Sequence, residues 1–528
     1  MKQQIQLPDF YFIIMKRYFL ISFLFLFVLA GIGCNNKQGS NKESTSRNSS
    51  TLCFSSSDNK LNDIFNWASR QALAYAFACD PAGLWYEAAL PGREAFCMRD
   101  VSHQAMGAYF LGLEDYTKNM LCHFARNISE SRDWCSYWEI NRYGNPAPVD
   151  YLDDNEFWYN LPANFDVLDC CYRMFMWSGD RYYLEDSVFN NFYEKTVYDY
   201  VERWDLEPGT VMERPRLMNN RDELDTNRRF LMARGIPGYN EGNQGYRVGI
   251  DLLATEYRAF ISYSLLKQFA AEYDEALKFK LKAAEVADLI ESVWWDDNMD
   301  TYYTHVNADG EMEGNVNEMI NLGTEHYMLY WKACTDTARI SKLLTMLANN
   351  LPAGPINLIE YQSHLPGILF NHGLNEQAYD QLNYLYRAKR REYPEVSFTT
   401  VAAIVNGLMG VNIVANTPDL AVTQGHYVDR YIMTLPGLLP STEWAEIKNV
   451  PVRANRITVR HDGIRRTSLT NDTGPSIIWK ACFPGSYEHL VVNGKKTEAY
   501  RETYNSSTIS WVRVIAGAGE LMVVEVPD

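Results

Sequence analysis

A chain of 528 residues, 47% hydrophobic and 22% charged, is long enough for two or three packed domains. Its net charge of −17 argues against a nucleic-acid partner, because an acidic surface repels phosphate. Charge balance does not name a substrate. The aromatic share of 14% is high, and it fits either a large helical core or walls that stack on sugar rings.

Residues 1–34 read as a secretory signal. Lys16 and Arg17 precede an apolar run from Tyr18 to Ala30, followed by Gly31-Ile32-Gly33-Cys34. Cys34 after small residues resembles a bacterial lipobox, in which the thiol is acylated, although Gly31 stands where Leu is usual. The alternative is an uncleaved anchor helix, and Met15 is a second candidate start. Residues 35–57 are rich in Ser, Asn and Lys and are expected to be a disordered tether. Anchor, tether and body together indicate the envelope of a Gram-negative bacterium, on the periplasmic or outer face, with the outer membrane as partner. The other cysteines lack CxxC or metal spacing. Cys170-Cys171 sit in an apolar helical stretch as buried thiols, so neither a metal nor a cofactor is expected.

From Leu61 to about Gly410, apolar residues recur at three-to-four spacing. The runs are Ile64 to Ala78, Ala105 to Leu113, Phe165 to Met176, Leu252 to Phe269, Glu275 to Val293, Tyr327 to Ala333 and Thr399 to Leu408. Long loops rich in Gly, Pro, Trp and Tyr alternate with short links. The long ones are Pro81 to Met98, Ser131 to Pro162, Trp204 to Arg247, Trp294 to Glu318, Pro352 to Pro366 and Arg387 to Glu395. A ring of helical hairpins gathers its long loops at one end, where they build a site. Six long loops predict a mainly α fold, an (α/α)6 toroid over residues 58–445, against the alternative of an irregular bundle. After Pro440, short β-type runs and the hairpin turn Asn493-Gly494 predict a small antiparallel β-sandwich over residues 446–528.

Several motifs carry a resemblance. Phe96-Cys97-Met98-Arg99-Asp100 at the start of an inner helix resembles the Arg-Asp motif of glucoamylase-like enzymes, whose side chains grip hydroxyls of the sugar at the cleavage point. Trp294-Trp295-Asp296-Asp297 with Tyr302-Tyr303 and Asp309-Gly310 is similar to a β-turn of many toroid enzymes. The tail Ile457 to Lys495 resembles the sandwich behind the toroid of rhamnosidase-like enzymes. The chain thus resembles the six-hairpin glycosidase superfamily, and within it the family-154 β-glucuronidases of gut bacteria. The resemblance implies a glycoside hydrolase acting on glycans by paired carboxylates with inversion.

Such chemistry needs a protonated acid and an ionised base, ~6.5–9.5 Å apart in inverting enzymes. By analogy with glucoamylase-like enzymes the acid belongs to the third long loop and the base to the start of the last inner helix. Glu241, in a Gly-rich setting, is the candidate acid, and Glu395, beside Pro394, the candidate base. A helix N-terminus favours the ionised carboxylate at Glu395, though that side chain could instead cap its helix. Candidate substrate-binding residues are Arg99, Asp100, His103, Asp154, Glu156, Trp158, Tyr239, Arg247, Glu325 and Tyr393. Asp153, Asp154 and Glu156 compete for the acid role or for a Ca²⁺ ion, and Glu360 is a further site carboxylate. Arg214, Arg216, Arg221, Arg228, Arg229, Arg234 and Arg247 in the third loop would suit a uronic acid, or be solvated surface.

Two rivals stand beside this reading. A polysaccharide lyase on the same toroid would use Tyr246, His305 or His326 to abstract a proton. A lipid-anchored glycan-binding protein without turnover would resemble tetratricopeptide arrays, with a repeat of ~34 residues.

Overall fold

The computed structural model describes residues 51–215, 234–239, 246–314, 324–351, 359–414, 431–505 and 507–527. The signal, Cys34 and Glu241 lie outside them, as does the side chain of Glu325. No described helix is long and apolar enough to cross a membrane.

The helices fall into two alternating sets. In the first, a single face is buried. α1 (Asn59–Ala74) starts at Asp58, whose carboxylate accepts from the N–H of Lys60 at 2.8 Å, and it buries Leu61, Ile64, Phe65, Ala68 and Ala72. α3 (Glu114–Arg126), α5 (Ser187–Lys195), α7 (Tyr273–Val293), α9 (Thr337–Asn349) and α11 (Asn375–Arg387) have the same one-sided pattern. In the second set burial runs around the helix. α2 (Met98–Phe110) buries Asp100, Ser102, His103 and Gln104 as well as its apolar residues. α4 (Pro162–Ser178), α6 (Ile250–Phe269) and α12 (Pro394–Ala402) are buried likewise, and α10 (Leu365–Asn371) buries most of its length. α8 (Thr324–Tyr330) completes this set.

The even-numbered helices contact one another in sequence, α2 on α4, α4 on α6, α6 on α8, α8 on α10 and α10 on α12, and α12 returns to α2. The α2–α12 seam is tight. A Cβ on Gly107 would stand 2.0 Å from the carbonyl oxygen of Phe398, so only glycine lets these backbones meet. The expected short links are present between α2 and α3, after α4 at Gly179-Asp180, and between α10 and α11. The long loops are not bare. Small ladders pin them, such as Ala95–Cys97 on Glu139–Asn141 and Trp295–Asp296 on Thr301–Tyr302.

The sandwich has a seven-stranded and a five-stranded sheet. In chain order its strands are β1 (Cys53–Ser56), β2 (Asn412–Ile413), β3 (Tyr431–Thr434), β4 (Trp444–Val452), β5 (Asn455–Asp462), β6 (Arg466–Thr473), β7 (Ile477–Pro484), β8 (His489–Val492), β9 (Lys495–Glu498), β10 (Tyr500–Tyr504), β11 (Ser507–Ala516) and β12 (Leu521–Glu525). The orders are β1-β4-β5-β6-β12-β8-β9 and β2-β3-β7-β11-β10. At the predicted hairpin Val492 pairs with Lys495, and Asn493 and Gly494 have φ of 47° and 80°, as a type I′ turn requires.

Two features depart from expectation. β3 runs parallel to β7, and β1 lies inside the stretch expected to be tether, pairing Cys53 with Lys448. Alternation explains β1: Phe54 and Ser56 are buried, whereas Cys53 is exposed and Ser55 only partly covered. The sandwich therefore draws on residues well upstream of 446.

Candidate functional site

Site residues collect where the even-numbered helices begin. Strand Ala95–Cys97 runs directly into α2, whose first turn carries Arg99 and Asp100, with His103 one turn on. Pro394 starts α12 because its ring fixes a helical φ and its missing N–H costs nothing at that position. Glu395 follows it, across the tight seam from α2.

There His103 Nδ1 lies 3.0 Å from Glu395 Oε1 in hydrogen-bond geometry. His364, just before α10, places Nε2 3.0 Å from the same oxygen. Glu395 is 2% exposed. Burial alone would raise its pKa, yet the contacts from His103 and His364 outweigh burial and hold the carboxyl well below the usual range. The expected ionisation of Glu395 thus has a specific source, two imidazoles rather than helix amides. His103 is itself pushed down to about 3 by burial and by His364, so its ring is neutral at ordinary pH.

Asp100 behaves in the opposite way. Burial first, and the Glu395 charge second, push its carboxyl up to about 7. Its hydrogen-bond partner is Tyr393, whose hydroxyl donates at 2.8 Å. Arg99 Nε is 4.0 Å from Asp100 Oδ2, a loose contact for an ion pair. The Arg99 guanidinium instead lies over the rings of Trp138 and Tyr239, each at 5.5 Å, and of Tyr361 at 5.9 Å.

Tyr239 enters the cluster from the third loop. Its ring stacks on Tyr327 at 4.6 Å, and its hydroxyl donates to Asp166 at 2.5 Å. Its backbone N–H donates to Asp251 at 2.7 Å. Gly238 and Gly249 wrap this carboxylate so closely that a Cβ on either would come within 2.5 Å of Asp251 Oδ1. Burial raises Asp251 to about 6 and pushes Asp166 far above a normal carboxyl. Tyr330 and His326 complete the surroundings, with Tyr330 4.8 Å from the His364 ring.

The structure therefore brings together Arg99, Asp100, His103, Tyr239, Tyr393 and Glu395. Asp154 is held elsewhere by Ser131, by Arg132 at 2.7 Å and by Tyr151 at 2.6 Å, and these bonds lower it to about 2 against a burial effect that would raise it. Glu156 forms a surface turn with Asp153, and Trp158 is 2% exposed within the core, with no face open to a sugar. Arg247 is tied to the carbonyl of Ala308 at 2.9 Å. Arg214 is buried against the carbonyl of Trp204, and Arg234 pairs with Asp133. None of these three described arginines reaches Glu395. Arg216, Arg221, Arg228 and Arg229 lie outside the described residues. Glu360 is 3.9 Å from Arg390.

His364, Asp166, Asp251, Tyr327 and Tyr330 were not singled out from the sequence. Asp251 is an acid in the first turn of an apolar helix, and Asp166 an acid inside another, which was a usable signal. His364 precedes Leu365-Pro366 and resembles any loop histidine. His103, His364 and Glu395 also offer ligand atoms within 4.8 Å of one another, a set suited to a divalent cation. The tyrosines around the site, Tyr239, Tyr327 and Tyr330, are all raised by burial, the wrong direction for a lyase base.

No family model matches the chain, and no curated protein matches it. Solved structures do. A GH78 family rhamnosidase of Bacillus sp. GL1 is similar with a TM-score of 0.55 at 13% identity, over 80% of this chain and 40% of that one. An α-L-rhamnosidase from Dictyoglumus thermophilum has a TM-score of 0.54 at 12% identity, over 90% of this chain and 50% of its own. The chain thus spans half or less of these two proteins, and the likeness is one of fold: a helical toroid with a β-domain.

Proposed function

We propose that this protein is a glycoside hydrolase on a six-hairpin toroid, with Glu395 as the general base. The carrying observation is a buried cluster in which His103 Nδ1 and His364 Nε2 each stand 3.0 Å from Glu395 Oε1, with the buried acids Asp100, Asp166 and Asp251 around it. Glu395 is held ionised by His103 and His364, while Asp100, Asp166 and Asp251 are pushed up. Pairs of acids forced apart in this way are how one site supplies a base and an acid at the same pH. Aromatic faces beside them, Tyr239 and Tyr327 among them, suit a pyranose. An ionised Glu395 would take a proton from water as that water attacks the anomeric carbon. The acid would protonate the departing oxygen, giving inversion. For the acid we keep Glu241, which follows Tyr239 by two residues, no more than about 7 Å of chain. Arg99 and Asp100 would hold sugar hydroxyls. With Arg214, Arg234 and Arg247 committed elsewhere, nothing described favours a uronate over a neutral sugar. Secretion and lipid anchoring at Cys34 remain part of the proposal.

The test is turnover of aryl glycosides by the purified protein, starting with α-L-rhamnosides and β-glucuronides, beside Glu395→Gln and Glu241→Gln. A base or acid of this kind contributes about 10²- to 10⁴-fold in rate. Both variants should lose rate by that order while staying folded, and proton NMR of the first product should show the inverted anomer. Full rate in Glu395→Gln would remove the base assignment. Glycan binding without cleavage by wild type would remove the hydrolase reading.

A further inference from the structure

Behind the Glu395 cluster the ring of even-numbered helices encloses a cavity of about 600 Å³. His103 and His364 line one end of it. α12 and its continuation carry the wall onward through Thr399, Ala402 and Asn406. Asn406 lies eleven residues past Glu395, about 15 Å along a helix. At the far end the wall includes Thr503 and Asn505 from the sandwich. The volume is that of an ordinary small-molecule site, and much of the lining is apolar, with Met106, Leu329, Ile340 and Ile368.

The charges in this wall do not balance. Asp169 is the one acid among the lining residues, and its carboxylate is fully used. It accepts from Arg173 Nε, Arg258 Nε and Ser262 Oγ, each at 2.7 Å. One negative charge therefore faces two guanidiniums, which keep 18% and 22% of their side-chain surface accessible. Lys332, just after α8, adds a third cation, exposed at the edge of the cavity, where Asp169 is again the acid that acts on it. Burial and the charge of Arg258 pull the Lys332 pKa down, against the opposing charge of Asp169. A cavity whose lining carries three cations and one acid holds a positive potential, which favours an anion over a neutral occupant.

We infer that this cavity is a second binding site, which takes a small anionic ligand whose carboxylate or phosphate oxygens are held by Arg258 and Lys332 and whose carbon body packs on the apolar wall. Because His103 and His364 are common to both compartments, an occupant would press on the partners of Glu395 from behind. The inference does not depend on the hydrolase reading, since its test is binding rather than turnover.

The test is calorimetric titration of the purified full-length protein with inorganic phosphate, D-glucuronate and, as a neutral control, D-glucose. Wild type should bind at least one anion saturably and leave glucose unbound. Lys332→Gln should weaken that binding by about tenfold or more, as loss of one charge-assisted contact does. Gly367→Leu supplies an independent plug. Gly367 lines the cavity, a Cβ there meets nothing within 4 Å, and leucine favours the helix. Binding should vanish in that variant with the fold intact. Phosphate alone would point to a phosphate-bearing ligand, and glucuronate alone to a carboxylate. If neither anion binds, or if binding survives both substitutions, the inference is wrong.

Discussion

His103 offers the sharpest probe of the site. Its Nδ1 lies 3.0 Å from Glu395 Oε1, and that hydrogen bond is the leading influence opposing the burial of the carboxylate. His103→Phe keeps a flat ring between Tyr330 and His364 but deletes the contact. A hydrogen bond to a charged group is worth about 1.5–3 kcal/mol, or roughly one to two pKa units at about 1.4 kcal/mol per unit. With the bond gone, burial prevails and the Glu395 pKa rises by that amount. The sign follows directly. A base works ionised, so the rate falls as pH drops through its pKa, and raising that pKa moves the acid limb of kcat/KM upward. In wild type the limb lies well to the acid side of the usual carboxylate range. In His103→Phe it should shift up by about one to two units from about 2, so the variant loses rate as pH falls from about 5 to 3, where wild type loses less. His103→Gln, which can still donate, should recover part of the shift. The measurement is a kcat/KM profile from pH 3 to 8 on folded protein. A limb that stays in place or moves down would refute the claim that His103 keeps Glu395 ionised.

Three further outcomes are expected. Dialysis against a chelator should leave the hydrolytic rate unchanged, because Glu395 acts as a base and not as a ligand; a loss restored by one added divalent metal would assign the His103–His364–Glu395 set to a metal instead. Gly107→Ala should cost about 1–3 kcal/mol, seen as a lower melting temperature, because its methyl group collides with the Phe398 carbonyl; an unchanged transition would mean that the α2–α12 seam is looser than described. Cys34→Ser should release the protein from the membrane fraction and abolish labelling by a palmitate analogue, and retention of both would exclude Cys34 as the acylated residue.

The sequence signals differed in how far they reached. Local chemistry was readable: Pro394 marks the start of α12, and the Arg99-Asp100 pair marks the start of α2. Their meeting was not, because His103 and Glu395 are 292 residues apart and are joined only by closure of the ring. His364 escaped notice for the same reason. The third-loop arginines failed in another way. Sequence shows a charge but not its acceptor, and Arg214 and Arg247 spend theirs on backbone carbonyls. The acidic run at Asp153 to Glu156 likewise serves its own turn and a neighbouring arginine. In the sandwich, alternation revealed the strands after Pro440, whereas β1 is too short, and too far along the chain from its partner, for a local pattern to pair them.

The strand β1 has a bearing on how the molecule is made. It pairs with β4, and α1 beside it packs on α12, so these early segments bind partners that are synthesised much later. Contacts that span most of a chain form slowly, because a large loop must close before any of them forms. A nascent chain cut short before α12 would hold α1 with an uncovered apolar face and β1 with an unpaired edge, both invitations to aggregation. Ribosome-stalled fragments ending ahead of Pro394 should therefore stay protease-sensitive, with protection of α1 arriving only when the last helix and β4 emerge. β1 and α1 thus act as a clasp with β4 and α12, and a nick in a loop between them would leave the pieces associated until that clasp opens.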